Sequence, residues 1–66
     1  MGHKLKIFRL EREMTQEELA KRSGVSRQTI SSIENEGVSG ATTKTLAKLA
    51  KALETTVGEL FFEESV

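Results

Sequence analysis

The chain has 66 residues, no cysteine and one histidine, His3, which excludes disulfides, thiolate metal sites and any zinc site or proton relay built on histidines. Ten basic side chains balance ten acidic ones, so the formal net charge is zero. No apolar run reaches the ~20 residues that a membrane span needs, and the length suits one domain, residues 1–66, held by packing alone or with help from a symmetric partner.

The charges are unevenly placed. Residues 1–33 carry seven cations against four carboxylates, a net +3, and residues 34–66 carry three against six, a net −3. A basic half and an acidic half suit a protein that turns one face to a polyanion. The sequence contains no nucleophile–base pair, metal cluster or phosphate-cradling glycine loop, so neither catalysis nor a cofactor is expected. No basic-then-apolar leader opens the chain, and a cytoplasmic location is expected.

Apolar spacing predicts helices throughout and no strand, an all-α chain. The first helix is expected over residues 4–13, with Leu5, Phe8 and Arg12 on one side and Ile7 and Leu10 adjoining; Met14 is its break. The second opens at Thr15, where Thr15-Gln16-Glu17-Glu18 forms a capping box. Leu19 and Ala20 face inward, and Gly24 is the expected left-handed C-terminal residue.

The third helix covers residues 26–35, with Ser26 as N-cap and Ile30 and Ile33 as its apolar positions. Its other side chains, Arg27, Gln28, Thr29, Ser31, Ser32 and Asn35, form a short polar surface rich in hydrogen-bonding groups. Residues 36–41 contain two glycines and a serine and read as loop. The fourth helix, residues 43–54, is capped by Thr42; Leu46, Leu49, Ala50 and Leu53 make its apolar stripe, opposite Lys44, Lys48 and Lys51. A fifth follows Thr56, where Thr56 and Glu59 have the spacing of a second capping box, and presents Val57, Leu60 and Phe61. Two adjacent phenylalanines cannot both face one small core. Phe61 is assigned to the core, and Phe62, with Val57 or Leu60 nearby, to a dimer interface.

Residues 14–35, MTQEELAKRSGVSRQTISSIEN, resemble the helix-turn-helix of the phage-repressor-like (Xre-type) bacterial regulators. The match includes Thr15-Gln16, Leu19-Ala20, the turn Gly24-Val25-Ser26, Ile30, Ile33 and Glu34-Asn35. The runs from Lys44 to Leu53 and from Val57 to Phe61 are similar to the family's fourth and fifth helices. The resemblance implies a compact five-helix repressor-like DNA-binding domain, its helix-turn-helix at about residues 15–35. It also implies sequence-specific binding of double-stranded DNA, commonly as a homodimer on a palindromic operator.

Within that resemblance, Gln28 can pair with the adenine N6/N7 edge and Arg27 can read guanine or grip phosphate. Ser32 lies one turn after Gln28 on the same face, and Ser31 is a further base-reading candidate. Gln16 sits where a helix N-terminus favours an anion, and Thr15, Ser26, Thr29 and Asn35 match family positions that contact phosphate. Arg9 and Glu34 match a pair that clamps the recognition helix from below. The loop departs from the family pattern: Val38, Ser39, Gly40 and Ala41 stand where many relatives carry basic residues and a proline, which lowers the expected affinity. An alternative reading is an antitoxin-like interaction module whose main partner is another protein, such as a toxin; zero net charge and the acidic second half support it.

Overall fold

The protein, described by a computed structural model over residues 4–38 and 40–62, consists in that range of α1 (Leu5–Glu11), α2 (Gln16–Ser23), α3 (Arg27–Glu36), α4 (Thr43–Ala52) and α5 (Val57–Phe61). The expectations for His3, Ser39 and the tail 63–66 lie outside the described residues. α2 packs on both α3 and α4, α4 on α5, and α1 on α3 and α5. The described residues contain no strand.

The N-terminal caps follow from local chemistry. Thr15 Oγ1 accepts the Glu18 amide at 3.0 Å, and Glu18 Oε1 accepts the Thr15 amide at 2.9 Å, so the α2 capping box is complete. Ser26 accepts the Thr29 amide and Thr42 the Thr45 amide, each at 3.1 Å. The cap at α5 is only half a box. Thr56 Oγ1 accepts the Glu59 amide, but Glu59 Oε1 accepts the Thr55 hydroxyl at 2.8 Å. The neighbouring threonine out-competes the Thr56 backbone for that carboxylate.

Two helices end earlier than their apolar patterns suggest. α1 stops at Glu11, with Glu13 left-handed at φ 56°, and α4 stops at Ala52, with Glu54 left-handed at φ 58°. Both ends are Schellman motifs: the Met14 amide donates to the Arg9 carbonyl and the Thr55 amide to the Ala50 carbonyl. Glycine usually fills the left-handed position, and glutamate gave no warning of it in the sequence. Gly24 does fill it after α2, at φ 79°. Gly37, just after α3, has φ 96° and ψ −172°, a region open in practice only to glycine.

The core contains Leu5, Met14, Leu19, Val25, Ile30, Ile33, Leu46, Leu49, Ala50, Leu53 and Leu60. Met14 is therefore a core residue as well as the break after α1. Val38 and Ala41, from the expected loop, pack against this core, as do Phe8, Ala20, Val57 and Phe61. Lys44, Lys48 and Lys51 are exposed on the opposite side of α4.

Four side chains depart from expectation. Ile7 and Leu10 do not join the inward stripe of α1; each is 54% exposed. The inward positions are Leu5, Phe8 and Arg9, because Arg9 has an ionic partner beneath the helix. Arg12 is also outside, its guanidinium 5.1 Å from the Phe8 ring centroid, where it shields that ring. Leu60 is fully buried in the monomer core and so is not an interface residue, contrary to expectation. Phe62 is 53% exposed, and its ring lies 6.4 Å from that of the half-buried Phe61.

A left-handed glutamate costs ~1–2 kcal/mol, partly offset in any glycine variant by that residue's greater loss of chain entropy. Glu54→Gly is therefore expected to stabilise the fold by about 0.5–1 kcal/mol and to raise Tm by roughly 2–8 °C. A thermal melt checks this, and a lowered Tm contradicts it.

Candidate nucleic-acid interface

α3 is amphipathic in a way that fixes its orientation. Ile30 and Ile33 are buried, and Val25, in the turn before the helix, is buried beside them. The opposite face presents Arg27, Gln28, Ser32 and Asn35, all exposed, with Ser31 half-buried at its margin. These residues, together with Gln16 and Glu36, line a shallow groove of about 520 Å³ between the start of α2 and the outer side of α3. The four expected base-reading residues thus share one concave surface with Gln16 and Asn35. Thr29 lines a second groove, of about 340 Å³, on the side of α3 that faces Gly37, Gly40 and Ala41.

The remaining expected phosphate contacts, Thr15 and Ser26, line neither groove, and their hydroxyls are engaged in capping. Thr15 Oγ1 holds the Glu18 amide, and Ser26 Oγ donates to Thr29 Oγ1 at 2.9 Å while accepting the Thr29 amide. Asn35 Nδ2 donates to Ser31 Oγ at 3.3 Å, one turn back on the same helix.

Beneath this surface lies the ionic clamp. Arg9 Nε donates to Glu34 Oε2 at 2.8 Å and Nη2 to Oε1 at 3.1 Å, a bidentate pair. Its remaining nitrogen, Nη1, donates to the Met14 carbonyl at 2.7 Å. The two side chains are 8% and 3% exposed, so the pair is sheltered from water and counterions. Gln16 Nε2 completes the network by donating to Glu34 Oε1 at 3.0 Å. That bond was not apparent from the sequence, because its partners lie 18 residues apart. It commits one amide hydrogen of Gln16 and leaves the other hydrogen and Oε1 for an external ligand.

The clamp also settles the charge state of Glu34. Burial raises its pKa, but hydrogen bonds from Arg9 and Gln16 and the positive charges of Arg9 and Lys6 more than offset this, so the net shift is downward.

Sequence reading also missed Glu36. It lies outside the expected helix bounds, yet it is the last residue of α3 and lines both grooves. The spacing Gln28, Ser32, Glu36 was the available signal, since steps of four keep side chains on one helix face.

Comparison with known proteins agrees with the helical fold. The family model described as "Helix-turn-helix" matches residues 5–60. An uncharacterized HTH-type transcriptional regulator of Methanocaldococcus jannaschii is 42% identical over 64 residues, covering 97% of this chain and 96% of that protein. No solved structure gives a significant match.

Removing the Arg9 guanidinium takes from the sheltered Glu34 carboxylate its bidentate ionic partner, so Arg9→Ala is expected to cost about 3–5 kcal/mol in urea unfolding. The folded-state pKa of Glu34 lies below its unfolded value, so the stability this carboxylate contributes is fully present above the unfolded pKa of ~4.3 and is lost as pH falls through the folded value. Glu34→Gln should therefore be less stable at pH 7 and should lose less on acidification below about pH 5. Parallel stability–pH curves for the two proteins would contradict this account.

Proposed function

The chain belongs to the Xre-like helix-turn-helix family of DNA-binding regulators, and from that premise we propose that it binds a palindromic DNA operator as a homodimer and acts as a transcriptional repressor. The observation that carries this reading is the grouping of Arg27, Gln28, Ser31 and Ser32 with Gln16 in one groove on the outer face of α3. α3 is the recognition helix. Its inner face is seated on the core by Ile30 and Ile33, which leaves the outer face for the major groove.

Within this reading, Gln28 takes the adenine edge and Arg27, at the first turn, takes guanine or an adjacent phosphate. Ser32 and Ser31 add shorter contacts. Gln16 and Asn35 bind phosphate at the two ends of the groove, and Thr15 and Ser26, alongside their capping roles, and Thr29 add contacts to the DNA backbone. Such phosphate contacts set register but carry no sequence information. In the dimer, two recognition helices ~34 Å apart meet two half-sites one helical turn apart. Phe62 is the natural contact for the second copy, being a large apolar side chain more than half exposed just after α5, with the half-buried Val57 at the start of that helix. A repressor of this kind blocks transcription by occupying its operator.

Ile7 and Leu10, each more than half exposed on α1, favour a second reading in which an antitoxin-like module meets another protein. The two readings are compatible, since a chain can hold an operator through α3 and a protein through α1.

Gln28→Ala is expected to weaken the cognate duplex by about 1–3 kcal/mol and to relax the preference at one base pair. Fluorescence titration against the cognate and single-substituted duplexes measures both. Equal weakening on every duplex contradicts base reading. In sedimentation equilibrium, Phe62→Ser should shift the protein toward monomer with little change in the thermal melt. An unchanged association constant would remove Phe62 from the interface.

A further inference from the structure

Glu36 has no part in the clamp or in the phosphate contacts. It is exposed at the C-terminal end of α3 and borders both grooves flanking the reading face. Ser32 Oγ donates to Glu36 Oε1 at 3.3 Å, which draws the carboxylate onto the Gln28–Ser32 stripe. Its second oxygen, Oε2, takes no bond from the described residues.

The stability of the helix does not account for a glutamate here. The C-terminal end of a helix carries partial negative charge, so a carboxylate there is unfavourable. α3 has no basic residue in its last turn to offset this. Nor does phosphate affinity account for it, because a carboxylate repels the backbone. A carboxylate only accepts hydrogen bonds. In the major groove the donors are the N4 amino group of cytosine and the N6 amino group of adenine. Beside the adenine amino group lies N7, an acceptor that repels a carboxylate. Guanine and thymine present acceptors at the corresponding positions. Cytosine alone offers a donor with no neighbouring acceptor on its own base edge.

We propose that Glu36 is a specificity-determining residue that requires a cytosine in the half-site by accepting a hydrogen bond from its N4 amino group. The inference rests on the reading of α3 as the recognition helix and deepens it. Glu36 lies eight positions after Gln28 along the helix, a rise of ~12 Å. At ~3.4 Å per base pair this places the cytosine about three to four pairs from the base that Gln28 reads.

The test is selection of bound duplexes from a random pool by the full chain, by Glu36→Gln, by Glu36→Ala and by Gln28→Ala. The native chain is expected to enrich cytosine at one position, at about the stated distance from the position that relaxes in Gln28→Ala. Glu36→Ala should lose that cytosine preference, and Glu36→Gln should lose it or shift it toward adenine, which glutamine pairs well. Replacing the cytosine in the selected duplex should weaken the native chain about 5- to 150-fold and leave Glu36→Ala nearly unaffected. If both Glu36 variants select the native sequence and merely bind every duplex more tightly, the carboxylate only repels phosphate and the proposal is overturned. In that case Gln28→Ala still alters selection and the recognition-helix reading stands. If the native chain enriches no sequence at all, that reading fails and this inference fails with it.

Discussion

Glu34 hangs from the underside of α3, and the Arg9 guanidinium reaches it from α1 with two parallel hydrogen bonds. The same carboxylate holds the first residue of α2, Gln16, and the same guanidinium holds the Met14 carbonyl in the turn between α1 and α2. Three helices and one turn thus meet at one ion pair. Apolar contacts press α3 onto the core, but burial has no direction and sets depth more firmly than rotation. A bidentate pair has direction, and here it fixes which way Gln28 and Ser32 face. Among the described residues no buried side-chain polar atom lacks a partner, so the network is closed, the condition under which buried polarity adds definition rather than strain.

Features whose partners lie within a turn of each other were legible in the sequence. The caps of Thr15, Ser26 and Thr42 need only a side chain and an amide three residues on, and all three formed. The α4 stripe was equally readable, because four apolar residues at helical spacing leave one way to face a core. The Arg9–Glu34 pair spans 25 residues, and the family resemblance, not the local pattern, pointed to it.

What was not legible depended on competition. Glu59 had the spacing of a capping box, but Thr55 supplied a nearer hydroxyl. On α1, counting apolar residues favoured Ile7 and Leu10, while an ionic partner 25 positions away drew the helix round to bury Arg9. Glu13 and Glu54 hold left-handed conformations that their type does not announce; the orphan carbonyls of α1 and α4 impose them. On the outer face of α3, the helix bounds drawn from sequence stopped one residue short of Glu36, although the step of four from Gln28 through Ser32 leads to it.

The charges of α3 run against its own macrodipole. Arg27 stands at the positive end and Glu36 at the negative end, with no acidic residue in the first turn and no basic one in the last. A helix selected for stability alone would reverse both. Its seat on the core and its clamp to α1 therefore carry what the helix does not supply itself, and they free its outer face to be arranged for a ligand. Among the described residues Arg27 is the one cation that lines the groove, and the molecule as a whole is neutral. Counterion release scales with the number of phosphates neutralised, so this face is poor in the salt-dependent attraction that holds a protein to any DNA. A face built mostly from amides, hydroxyls and one carboxylate gains more from the right base edges than from the backbone. In the proposed homodimer non-specific binding is therefore weak, discrimination rests on hydrogen bonds, and a second copy of α3 on the same duplex is the direct route to useful affinity.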